Sequence, residues 1–164
     1  MALPSKVLPG FSATLYAQPS ATPTALTTAN LSVLASVSAI AITGNTVAVE
    51  SIPAFGQDDA VATFSVAGSR QSDKIPVQSV PTSMTITAAW NPSDTVLLLL
   101  RADAYNGTID RTFVISATDG TGIVYYAFNA RVSEFKIEPS PSAEAKCSFT
   151  LHPRGNQYGW SNTA

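Results

Sequence analysis

The chain has 164 residues, 45% of them hydrophobic and only 12% charged, with a net charge of −2. That length suffices for one domain with a buried core, but the charged share is about half the usual one. The surface must therefore be built from hydroxyl and small residues or be covered by neighbours, and with a pI near 5.2 and no block of Lys or Arg a tight grip on nucleic acid is not expected.

Residues 1–29 carry Pro4, Pro9, Pro19 and Pro23 among Ser, Thr and Ala, which predicts an extended arm with a short strand at SATLYA. The N-terminus lacks a continuous apolar signal-peptide core. LSVLASVSAIAI is too short and too interrupted by serine to span a bilayer. A soluble cytosolic product with no membrane insertion is expected.

From Leu31 to Ser51 the pattern is β, with a change of phase near Ile40 and Ile42 and a hairpin signal at Gly44-Asn45. Residues 52–82 form a long, less regular excursion, read as a loop or loose hairpin that holds most of the charges of the first half. SMTITAAW then alternates Met84, Ile86, Ala88 and Trp90 against Ser83, Thr85, Thr87 and Ala89, a half-buried strand.

The helix lies in NPSDTVLLLLRADAYNG. Ser93 is the expected N-cap, Asp94 suits the positive end of the dipole, and Asn106-Gly107 stops the helix. At 100° per residue Val96, Leu97, Leu100 and Ala104 form one apolar face, and Leu98, Ala102 and Tyr105 form a second roughly opposite. A helix with such narrow polar gaps should be covered on both sides.

Beyond it, RTFVISAT alternates Phe113, Ile115 and Ala117 with Thr112, Val114 and Ser116, DGTG turns the chain, and IVYYAFNA returns it. RVSEFKIEPS places Phe135 and Ile137 on one face and Glu134, Lys136 and Glu138 on the other. EAKCSFTLH sets Ala145, Cys147, Phe149 and Leu151 inward and Lys146, Ser148, Thr150 and His152 outward. Residues 156–164 read as a C-terminal tail. No repeat and no linker divides the chain, so a single domain over 1–164 is expected.

Reactive side chains are sparse. One Cys and one His are too few for a zinc site, and a lone cysteine excludes an internal disulfide. Cys147 alternates with core residues and reads as a buried thiol, His152 as a solvated or interface histidine. Asp58-Asp59 reads as a solvated pair of acids. Ser133-x-x-Lys136 matches an acyl-enzyme pattern in letters, but on a strand the two side chains should point to opposite faces. No catalytic residue, metal or cofactor is expected.

The order of strand ending in Trp, NP, apolar helix, strand, DG hairpin and closing strand resembles the major tail tube protein of long-tailed bacteriophages with non-contractile tails. The likeness runs from Ser83 to Gly155 and rests on TITAAWNPSD, RTFVISATDG and VYYAFNARVSEFKIEPS. It implies a mainly β fold, a barrel or sandwich with one flanking helix, in a structural virion protein and not an enzyme. Six copies would close into a ring, and rings would stack around a tape measure protein between tail terminator and tail-tip proteins, with DNA present only in transit.

The excursion would make contacts between rings, through Asp58, Asp59, Arg70, Asp73 and Lys74. Glu134, Lys136 and Glu138 are candidates for the lumen, where acidic and hydroxyl groups do not hold phosphate. Leu97, Leu98, Leu100 and Tyr105 would pack the helix on its own sheet and on a neighbour. The rival readings are the tube of a contractile tail or type VI secretion system, and a β-sandwich binding or decoration module.

Overall fold

The computed structural model describes residues 12–26, 45–65, 72–118 and 122–163. Its strands are β1 (Ser12–Ala17), β2 (Thr46–Val47), β3 (Val49–Ser51), β4 (Gln57–Ser65), β5 (Ser72–Pro81), β6 (Met84–Ala89), β7 (Asp110–Thr118), β8 (Gly122–Glu138) and β9 (Lys146–Thr163), and one helix, α1 (Thr95–Asn106), joins β6 to β7. Seven strands make one antiparallel sheet in the order β2-β1-β7-β8-β9-β6-β3, and β4 and β5 pair only with each other.

The two outermost strands of the large sheet are separated in sequence by Ala48 alone. Leu15 pairs with Val47 at one edge and Val49 with Ala88 at the other, and the Ala89 amide donates to the Ala48 carbonyl at 2.9 Å. Residues 46–51 thus bridge both edges and nearly close the sheet into a barrel, which removes most of its open strand edges. Lys146 clamps the β3 side of this seam, its ammonium 2.7 Å from Glu50.

Period-two patterning places the core. Met84, Ile86 and Ala88 of β6 and Cys147, Phe149 and Leu151 of β9 lose essentially all exposure while their alternate neighbours stay wetter, as the sequence predicts. Phe149 stacks on Phe135, which also meets Trp90 edge-on. β7 departs from the expected pattern: every residue from Arg111 to Ala117 is buried. It lies between β1 and β8, so Phe113 and Ile115 fill the core while Thr112, Val114 and Ser116 are buried on the opposite face.

The arm explains part of that second layer. After β1 the Gln18 amide donates to the Thr112 carbonyl at 2.9 Å. The Thr24 amide donates to Thr112 Oγ1 at 2.8 Å, and Asn129 Nδ2 donates to the Thr24 carbonyl at 3.1 Å. The strand predicted at SATLYA is β1, and residues 18–26 lie over β7 and β8. The pattern read over 31–44, including Gly44 of the hairpin signal, lies outside the described residues.

α1 begins one residue later than the sequence suggests. Asp94, not Ser93, is the N-cap, and its Oδ1 accepts from the amides of Val96 (2.8 Å) and Leu97 (3.3 Å). Ser93 is drawn into the preceding turn, its amide donating to Asn91 Oδ1. Gly107 ends the helix at φ 66, where its amide reaches the Asp103 carbonyl, a left-handed position that a Cβ would strain.

Two further segments differ from expectation. The excursion 52–82 contains a regular hairpin, β4–β5, with a register shift at Ala60/Val61. The segment 156–164, read as a tail, continues β9 as far as Thr163, where it pairs with Gly122–Ala127 of β8. Gly155, at φ 75, bends the chain at a register shift, so Pro153 and Gly155 mark a bulge inside a long strand and not its end.

Candidate functional site

Three surfaces could carry function: the outward face of β6, β9 and the second half of β8, the β4–β5 hairpin, and the outer side of α1. The first is polar. Thr85 and Thr150 touch at 3.2 Å, and His152 lies between two hydroxyls, with Nδ1 2.9 Å from Ser83 Oγ and Nε2 2.7 Å from Ser133 Oγ. Both ring nitrogens are occupied by serine, so among the described residues the contact lacks the acid of a triad. The sequence singles out Ser133 only for its spacing to Lys136 and links neither serine to His152, because the segments that carry them meet only through the sheet.

Glu134, Lys136 and Glu138 are all exposed at this face. Glu134 stands at φ 54 within a bulge, because Ser133 pairs with Thr150 but Lys136 with Ser148. The bulge has a packing cause. Val132 and Phe135 both pack on the core, and a spacing of three fits strand geometry only if an extra residue intervenes. It also corrects the expectation for Ser133 and Lys136, which share the outward face. Ser133 is engaged by His152, and Thr150 Oγ1 donates to Glu134 Oε2 at 3.1 Å.

Several charges near this side are paired within the chain, whereas Lys136 and Glu138 have no salt bridge among the described residues. Asp110 takes both Arg131 (2.8 Å) and Arg154 (3.4 Å), and Lys146 takes Glu50. The Glu50 hydrogen bond, with its charge, raises the Lys146 pKa above the ordinary lysine value. A raised ammonium pKa stabilises the fold below the unfolded lysine pKa. That contribution fades as pH climbs through the folded value, so the seam loosens only in strong alkali.

Of the residues expected in the second surface, Asp58, Asp59 and Lys74 are exposed on the hairpin and Asp73 lies in β5, while Arg70 lies outside the described residues. Gln57 and Asp58 are tied to Ser79 and Thr82 across the base of the hairpin. Val61, Ile75 and Val80 are 53%, 56% and 50% exposed, although a two-stranded ribbon without a covering layer is marginal in water.

α1 divides its two apolar faces. Val96, Leu97 and Leu100 are buried, whereas Leu98 is 40% and Tyr105 76% exposed. Asp103, which the sequence shows only as a narrow polar gap, is buried with Arg111 of β7. The guanidinium bonds both carboxylate oxygens and the Pro19 carbonyl, tying helix, sheet and arm together. Neither the meeting of residues 103 and 111 nor their burial is read from the sequence. Cys147 is a buried thiol whose pKa is raised by desolvation and then by the Asp94 charge, which leaves it protonated and unreactive near neutrality.

Among the described residues no group of three or more His, Cys, Asp or Glu is placed to hold a metal, and no helix is long and apolar enough to cross a membrane.

No family model and no curated relative matches the sequence. Solved structures match in fold. A chain of the anti-feeding prophage baseplate, 6-fold symmetrised, superposes with a TM-score of 0.64 at 11% identity, covering 98% of this chain and 97% of that one. A chain of the PVC extracellular contractile injection system, in its extended sheath–tube complex, gives 0.66 at 13% identity over 96% and 94%. A chain of the anti-feeding prophage tube-terminating cap gives 0.57 at 16% over 74% and 84%. The barrel with a flanking helix is thus the tail-tube fold, as the resemblance implies.

Proposed function

We propose that this chain is the tube subunit of a phage-tail-like particle, a structural protein whose copies close into sixfold rings that stack into a conduit. One observation carries the reading: the tail-tube fold extends over nearly the whole chain. The exposed apolar sides of α1 and the hairpin support it, since both need cover that the described residues do not supply.

In this reading the hairpin, with Asp58, Asp59, Asp73 and Lys74, makes contacts between rings. Leu97 and Leu100 fix α1 on its own barrel, and Leu98 and Tyr105 meet a neighbouring copy. The polar face bearing Glu134, Lys136 and Glu138 lines the lumen, where hydroxyls and acidic groups give passing phosphate little to bind. A tape measure protein, a terminator and tip proteins are the further partners, and DNA is present only in transit. The particle tail is the site of action, after synthesis in the host cytoplasm.

Negative-stain electron microscopy with light scattering on the purified protein tests this. Rings or tubes with a central hole and a sixfold mass are expected, and a monomer at all concentrations, even with the terminator or tip proteins added, would overturn it. The contractile form of the tail is a second reading. It is favoured by the match to a chain of a contractile system over nearly its full length. Co-purification of tubes with a sheath protein would decide for it, and bare tubes from whole particles would decide against it.

A further inference from the structure

Among the described residues the large exposed apolar side chains fall on three elements: Val61, Ile75 and Val80 on the hairpin, Leu98 and Tyr105 on α1, and Ile123 and Ile137 on β8. The patch on α1 is a shallow groove lined by Leu98, Arg101, Ala102 and Tyr105. Arg101 lies over the Tyr105 ring, 5.7 Å from its centroid, and among the described residues it has no salt-bridge partner. The groove is therefore apolar with one unpaired positive charge.

The hairpin carries the complement. Asp59 pairs with Ser79 and, past the register shift, Val61 pairs with Pro76, so Asp59, Val61 and Pro76 share one face. Asp59 is exposed and likewise has no salt-bridge partner among the described residues. An acid two residues along a strand from a valine stands about 6.5 Å from it, close to the roughly 5–6 Å between helix positions three apart, here Leu98 and Arg101. Charge and apolar contact are thus offered in matching order and at matching spacing on two different elements.

We infer that the hairpin of one copy seats in the α1 groove of another, with Val61 and Pro76 against Leu98 and Tyr105 and the Asp59 carboxylate on the Arg101 guanidinium. The inference rests on the tube reading and adds which two surfaces meet. Because the patches differ, the contact is heterologous and repeats from copy to copy, as a stacked assembly requires.

Two experiments on the full-length protein test it. Chains carrying Val61→Cys and chains carrying Leu98→Cys are mixed, allowed to assemble and oxidised, so that a mixed disulfide can form only between copies. A cross-linked dimer is expected. In the second, Asp59→Arg and Arg101→Glu are each expected to raise the concentration needed for tubes about tenfold, and the double variant to recover most of that loss. Circular dichroism confirms that each variant is folded. Tubes that give no cross-link, or a double variant no better than the single ones, overturn the pairing and leave the tube reading standing. Wild-type protein that forms no tubes, with the mixed cysteine chains giving no cross-link, overturns both.

Discussion

In the barrel Ile86, Phe149 and Leu151 lose all contact with water, whereas in the hairpin Val61, Ile75 and Val80 keep about half of their exposure. The residue types are alike and both regions are antiparallel β. What differs is the layer above each strand. The barrel strands pack on one another and on α1, so most of their apolar side chains find a partner within the chain. Among the described residues the hairpin has a single layer, and none of them covers its exposed apolar side chains. The same sequence signal therefore specifies folding in one region and, in our reading, association in the other.

Substitutions can sharpen or break that contrast. The largest effect is expected at Phe149→Ala, which removes a buried ring stacked on Phe135 and should cost about 3–5 kcal/mol in denaturant unfolding. Cys147 supplies the readout: buried and held protonated, it should resist alkylation at neutral pH in wild-type protein and react readily in this variant. Fast labelling of the native protein would show that the barrel is looser than its packing implies.

Arg111→Met comes next. It leaves Asp103 buried and unpaired and should cost about 3 kcal/mol, while the double variant Arg111→Met with Asp103→Leu should recover much of that loss. A double variant as unstable as the single one would mean that the bond from Arg111 to the Pro19 carbonyl, and not the ion pair, holds the arm.

Asp94→Ala removes the helix cap and should cost about 1 kcal/mol, whereas Ser93→Ala should be nearly silent. The reverse ranking would restore Ser93 as the cap. Smallest of all for the folded monomer are Val61→Ser and Ile75→Ser, expected within about 0.5 kcal/mol of wild type while tubes fail to form. A large loss of monomer stability at either position would erase the distinction between the two regions.

The strands that are half exposed were the legible ones. β6 and β9 bury alternate residues, and their pattern reads directly as core and surface. β7 did not read this way, because an alternation of Val with Thr and Ser does not reveal that a second layer lies over it. α1 was found for its composition, yet its cap was misplaced by one residue, since Asn91 takes the Ser93 amide and leaves Asp94 to begin the helix. The end of β9 was missed because Pro153 and Gly155 read locally as a stop, whereas β8 offers an unpaired edge as far back as Gly122.

Sequence alone determined the elements whose signal is local: the alternation of β6 and β9, the apolar run of α1 and its glycine stop, the strand at Ser12–Ala17, and the scarcity of charge. Tertiary structure decided whatever depended on which distant residues meet. It set Arg111 beside Asp103, drew Ser83 and Ser133 to His152, forced the bulge at Glu134 so that Val132 and Phe135 could both reach the core, and joined both sheet edges through residues 46–51. Local preference is fixed by a residue and its near neighbours, while burial is fixed by the layer that covers it, and in this chain that layer comes from residues far away in sequence.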